Sequence, residues 1–317
     1  MSAPIRRPPG LLLIGATLLL FLMWSNSFVA MTYLLGTERA AARLDWLSLT
    51  VARFLPVTPL CAAWLLLARR DEALAALRAH GLRAVVCGLL SVPVYSFALF
   101  RGIQLGVPAP LASLLTGLSP LFLLLLGAAF LDERLTRRKA AGFALSLAGL
   151  GAIAVSRSSG DGGLAGAALP IAIAALAPIG WAVHTALSKP VMRTCSPAVW
   201  TALHLVAGGL PLLLPLPWVW QGSVGALDLA GWGVVLYLSV ACTLLGYLLW
   251  TWLLQHLPAS SVGQTVFLNP PLTLVSKLVL STLFPATFVL AVTGLEVAGA
   301  VVVLAGVGVA LSGSKRG

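Results

Sequence analysis

Apolar positions fall into ten long runs, near residues 11–35, 45–68, 82–104, 109–131, 137–156, 164–187, 197–217, 230–253, 259–282 and 290–311. Glycine, proline or charged residues separate them. Each run is close to the roughly 20 apolar residues a helix needs to cross a bilayer. The pattern therefore predicts an all-α integral membrane protein of ten transmembrane helices with short connections. A tail precedes them at residues 1–10 and another follows at 312–317.

Composition agrees with that reading. Hydrophobic residues make up 59% of the 317 residues, charged residues 9%, and mean hydropathy is +1.00. An ordinary globular domain is about a quarter charged, so no water-soluble fold could hide this surface. The first run, Leu11 to Leu35, is longer than a signal-peptide core and lacks a small-residue cleavage site, so it is expected to stay as the first helix.

The net charge of +11 sits between the apolar runs rather than on a soluble basic patch. It speaks for orientation, and no nucleic-acid partner is expected. With the N-terminus inside, fourteen Lys and Arg residues fall on the cytoplasmic side, and only Arg39, Arg43, Arg101 and Arg157 on the other. That bias predicts two cytoplasmic termini and an even helix count. Cys61, Cys87, Cys195 and Cys242 show no disulfide or metal spacing, so no metal or cofactor is expected.

Sliding the chain against itself brings out a repeat. At an offset of 150, Val107-Pro108-Ala109 falls on Leu257-Pro258-Ala259, and Ser119-Pro120-Leu121 on Asn269-Pro270-Pro271. At 157, Gly142, Gly149 and Gly151 fall on Gly299, Gly306 and Gly308, and Trp24 on Trp181. The halves are then 11–156 and 164–311. Five spans in each force the second half to enter the membrane inverted, an arrangement that places transporter sites near mid-membrane.

Several segments resemble the drug/metabolite transporter superfamily, specifically proteins with two EamA-type domains. They are Trp24-Ser25-Asn26, Arg53-Phe54, Pro120, Leu131-Asp132-Glu133-Arg134-Leu135-Thr136, Gly142 with Ala148-Gly149, Leu268-Asn269-Pro270 and Leu304-Ala305-Gly306-Val307. The acidic turn expected after the ninth helix is replaced by Phe284-Pro285-Ala286-Thr287. The resemblance implies export or exchange of small organic solutes through a cavity lined by the first, third, fourth, sixth, eighth and ninth helices. Small multidrug exporters of that superfamily use a first-helix glutamate, which this first run lacks.

Candidate site residues follow from polar or aromatic groups at mid-span. Pro120 and Pro270 are expected to free the carbonyls of Thr116 and Val266, leaving either packing kinks or a cavity wall. Trp24 and Trp181 lie away from the interfacial belts and either face solute or pack between helices. Asn26 and His184 share their helices, Asn269 precedes the second proline, and Tyr95 and Tyr247 offer an apolar face with a hydroxyl. His204 reads as an interhelix histidine or a proton relay, and Arg53 as structural. Lys277 and Glu296 either snorkel separately or pair as an outer gate. The fifth and tenth spans carry small residues at packing spacing, for helix contact or dimerisation, so monomer and homodimer both stay open.

These features predict a secondary transporter of the inner membrane, acting on a small organic metabolite by alternating access. No His/Glu zinc pattern, intramembrane aspartate pair or Gly-Xaa-Ser-Xaa-Gly turn supports an intramembrane enzyme. A structural or receptor-like membrane protein is the other alternative.

Overall fold

The computed structural model describes residues 8–36, 42–102, 105, 115–157, 168–283 and 293–312. Among them the chain is helical and without strands. The helices are α1 (Gly10–Leu35), α2 (Trp46–Ala68), α3 (Arg70–Arg101), α4 (Ser119–Phe130), α5 (Arg137–Arg157), α6 (Ala168–Val191), α7 (Pro197–Leu213), α8 (Leu216–Val224), α9 (Leu229–His256), α10 (Ala259–Gln264), α11 (Asn269–Leu283) and α12 (Gly294–Ser312).

Helix occupies part or all of each of the ten apolar runs. Six stretches, in α1, α2, α3, α6, α9 and α12, are long and apolar enough to cross a membrane, and α7 with α8, bent by 68°, would make a seventh. The earlier part of the α4 run lies outside the described residues, and a 3₁₀ turn, Thr265–Leu268, divides α10 from α11.

Polar residues between the runs start the helices. Asp45 accepts from the Leu47 and Ser48 amides at 2.8 and 2.9 Å to cap α2, and Asp228 from Gly231 at 2.7 Å to cap α9. Thr293 and Glu296 cap α12 reciprocally, each side chain accepting from the other's amide at 3.1 Å. Glu133, after α4, accepts from the Ala259 and Ser260 amides at the start of α10, and Lys139 donates to Ser260 Oγ at 2.9 Å. That network ties the two halves together at one end of the bundle.

Small residues let three helix pairs approach closely, two of them to backbone contact and the third to a side chain. A Cβ on Gly142 would lie 2.6 Å from the Gly306 carbonyl oxygen, and one on Gly149 2.6 Å from that of Gly299, so α5 and α12 cross along the glycines of the repeat. Ser146 Oγ donates to the Val303 carbonyl within this seam at 3.4 Å. A Cβ on Gly208 of α7 would meet the Gly88 carbonyl oxygen of α3 at 2.3 Å. In the third pair, a Cβ on Gly246 of α9 would lie 2.5 Å from Trp24 Nε1.

Three helices widen locally to i→i+5 turns, α3 at Leu90–Val94 and Phe97–Arg101, α8 at Trp220–Val224, and α9 at Tyr237–Leu245. In α3, Pro93 removes an amide donor, and the Tyr95 N–H reaches back to the Leu90 carbonyl. Such turns re-aim neighbouring side chains and recur at functional sites. Tyr95 lies between the two in α3, and Tyr247 just past the one in α9.

Trp200, Trp250, Phe21 and Phe54 are fully buried in the interior. The outside is apolar as well, with Leu67 87% and Leu229 91% exposed. An apolar exterior over a packed polar-containing interior suits lipid as the surrounding solvent.

Candidate functional site

α1, α3, α6, α7 and α9 converge on a cluster of aromatic rings. Trp181 is its centre, with ring centroids 5.5 Å from Trp24, 5.7 Å from Tyr95, 5.3 Å from Tyr247, 5.4 Å from Trp250 and 5.1 Å from His184. Trp24 also meets Trp250 at 5.5 Å and Phe21 edge-on at 5.6 Å. These separations are those of favourable aromatic pairs.

Several members are fixed by their polar ends. Trp24 Nε1 donates to the Cys242 carbonyl at 2.8 Å, next to the wide turn of α9. The Tyr247 hydroxyl donates to the Ser91 carbonyl at 2.8 Å, inside the first wide turn of α3. Trp250 Nε1 donates to Thr185 Oγ1 at 3.2 Å, and Trp200 Nε1 to Ser188 Oγ at 3.0 Å. The wide turns thus supply carbonyls off the regular ladder to hold aromatic side chains.

One edge of the cluster is a pair of fully buried histidines. His184 and His204 have ring centroids 4.9 Å apart, and His204 stacks on Tyr247 at 5.8 Å. His204 Nδ1 is bonded to the Trp200 carbonyl at 2.8 Å. His204 Nε2 and both nitrogens of His184 have no hydrogen-bond partner among the described residues. Arg53 Nε donates to Thr243 Oγ1 at 2.7 Å, crossing from α2 to α9.

Of the residues expected from sequence, Trp24, Tyr95, Trp181, His184 and Tyr247 come together here. Asn26 instead bonds back to the Leu22 carbonyl at 2.8 Å. Asn269 Oδ1 accepts from Ser25 Oγ at 3.2 Å, in a separate α1–α11 seam that Thr273 joins by donating to the Ser25 carbonyl at 3.4 Å. Pro120 and Pro270 differ from expectation in their placing. Each lies in the first turn of a helix, α4 and α11, where a missing amide breaks no internal bond. The Val266 carbonyl is not left free, because the Asn269 amide takes it as the 3₁₀ turn ends. Thr116 is half-buried just before α4. Glu296 is buried at the cap of α12, while the Lys277 side chain lies outside the described residues.

Sequence reading missed Trp250 and the pairing of His204 with His184. Trp250 lies three residues beyond Tyr247, a spacing that shares a helix face and could have flagged it. The proximity of His204 to His184 depends on helix packing that nineteen intervening residues conceal. No group of three or more His, Cys, Asp or Glu side chains among the described residues could hold a metal.

The chain resembles known transporters over most of its length. The model of the EamA-like transporter family matches residues 9–155 and again 168–311. A probable amino-acid metabolite efflux pump of Salmonella typhimurium is 32% identical over 233 residues, covering 68% of this chain and 72% of that one. A probable terminal-alkyne amino-acid exporter of Streptantibioticus cattleyicolor is 28% identical over 218 residues, 69% and 71% of the two chains. One solved crystal structure shares the fold with a TM-score of 0.70 at 22% identity, covering 95% of this chain and 96% of its own. The chain is a multi-pass membrane protein that belongs to the EamA-like transporter family, one match falling on each of its halves.

Proposed function

We propose that the protein is a secondary transporter that exports a small organic metabolite, an amino acid or a related compound with an aromatic or other apolar body, across the inner membrane by alternating access. The observation that carries this reading is the convergence of Trp24, Tyr95, Trp181, Tyr247 and Trp250 from helices of both halves on one spot. Two relatives named as amino-acid exporters or efflux pumps support the substrate class.

In this reading the ten helical segments each cross the bilayer, as two inverted five-helix repeats with both termini cytoplasmic. The α5–α12 seam supports the inversion. Adding 157 to Gly142 and Gly149 gives Gly299 and Gly306, so the contacts Gly142–Gly306 and Gly149–Gly299 exchange with each other. A two-fold axis requires that kind of self-complementary contact. The small-residue faces are thereby used within one chain, which favours a packing role for them over dimerisation.

The solute would lie against Trp181 and its neighbours, with His184, His204 and Arg53 beside it. Asn26, Thr116, Pro120, Asn269 and Pro270 would line its approach along α1, α4 and α11, and Lys277 with Glu296 would close the outer end. The test is counterflow of labelled amino acids, purines and sugars in liposomes carrying the purified protein. Saturable movement of one class supports the reading, and movement of none defeats it.

A further inference from the structure

We propose that the aromatic site recognises its solute through a carboxylate held by Arg53. The proposal rests on the site reading above and narrows it from metabolites in general to organic anions with an apolar body. It also assigns a recognition role to Arg53, which the sequence offers only as a structural residue.

Arg53 is a half-buried cation inside the α2 span, with its Cζ 5.8 Å from the ring centre of Phe54. Charge at such a position is ordinarily matched by an opposite charge. None of the ion pairs among the described residues involves Arg53. Only its Nε is spent, on Thr243. That leaves the terminal guanidinium nitrogens, a planar fork suited to a carboxylate.

Two polar groups of the aromatic cluster are likewise unspent. The Tyr95 hydroxyl and Trp181 Nε1 have no hydrogen-bond partner among the described residues. Arg53 reaches the stretch of α9 that holds the cluster, because its partner Thr243 follows Cys242, whose carbonyl accepts from Trp24 Nε1. Neither these two groups nor the terminal nitrogens of Arg53 are sealed away like the orphaned nitrogens of His184 and His204, the only buried side-chain atoms left without a partner among the described residues.

The chemistry of the three groups points one way. Guanidinium and indole N–H groups donate only, and the phenol donates readily, so together they call for an acceptor-rich partner. An ammonium would find no carboxylate here among the described residues, and only the weaker attraction of the ring faces. The described acids stand elsewhere: Asp45, Asp228 and Glu296 cap helices, Asp71 and Glu72 begin α3, and Asp132 and Glu133 follow α4. A site with an aromatic wall, one unmatched cation and no carboxylate fits an apolar organic anion.

The experiment measures binding of four ligands with the same phenyl body to the purified full-length protein in lipid nanodiscs. Phenylacetate and phenylalanine carry the carboxylate, while phenethylamine and phenylacetamide lack it. Wild-type protein is expected to bind the two carboxylates, and the other two at least about tenfold more weakly, as for a lost charge-assisted hydrogen bond. Arg53→Gln should remove that preference, and Arg53→Lys should keep part of it. Equal binding of phenylacetate and phenylacetamide, or tighter binding of phenethylamine, overturns the carboxylate proposal and leaves the aromatic site standing. Binding of none of the four overturns both. The wild-type series decides the matter even where a variant fails to fold.

Discussion

Trp24 donates its indole N–H to the Cys242 carbonyl at 2.8 Å, and the glycine one turn further along α9 makes room for it. A Cβ on Gly246 would lie 2.5 Å from Trp24 Nε1, inside any real contact distance. Gly246→Ala is therefore expected to push the ring off the cluster and weaken solute binding while leaving the helices intact. Trp24→Phe keeps a ring but strands the Cys242 carbonyl, at a stability cost of about 1–3 kcal/mol. Thermal melting in detergent, alongside ligand binding, separates the two effects.

His184 is enclosed with both ring nitrogens unbonded, a costly arrangement for a residue that only fills space. His184→Leu should hold or raise the melting temperature, because an unsatisfied polar group is replaced by an apolar one. Solute counterflow should fall. Full transport by the variant would show that the histidine pair is packing alone.

The α5–α12 seam contains its own control. Gly142→Leu or Gly306→Leu places a side chain against backbone atoms of the facing helix, so neither variant should yield a monodisperse protein. Gly151 and Gly308, equivalent to each other in the repeat, have nothing within 4 Å of a built Cβ. Gly151→Ala and Gly308→Ala should be tolerated and should favour the helix by up to about 1 kcal/mol. Size-exclusion profiles of the four variants check the contrast.

At the end where α2 and α9 begin, Arg43 Nη1 donates to both oxygens of Asp228 at 3.0 Å and its guanidinium covers Tyr33. The Gly231 amide, and after it Arg43, hold the Asp228 carboxyl below its ordinary value of 3.8. A lowered folded-state value means the stabilisation is complete above pH 4 and is lost as pH falls through the lowered value. Asp228→Asn keeps a capping side chain, so its melting temperature should decline less than that of wild type between pH 4 and pH 2. Parallel curves would contradict this assignment.

Where helix would form was legible in the sequence, and so were four of the aromatic residues that the fold brings together, because apolar length and repeat position are local properties. Trp24 and Trp181 stand at equivalent places in the repeat and meet at 5.5 Å. The start of a helix inside an apolar run is harder to read, since hydrophobicity continues across it. Pro120 and Pro270 consequently read as mid-helix kinks, although each opens a helix. Partnerships across the bundle were hidden for another reason. His204 on α7 meets His184 on α6 with ring centroids 4.9 Å apart, a tertiary fact that no short window contains.

The account stands most directly on transport of a solute through the Trp181 cluster. The deciding measurement is counterflow of labelled phenylalanine into liposomes preloaded with unlabelled phenylalanine, comparing wild type with Trp181→Ala at matched protein incorporation. We expect saturable uptake that overshoots equilibrium for wild type and falls at least about tenfold for the variant, in keeping with loss of a buried aromatic anchor. Equal uptake by the two proteins would contradict the account.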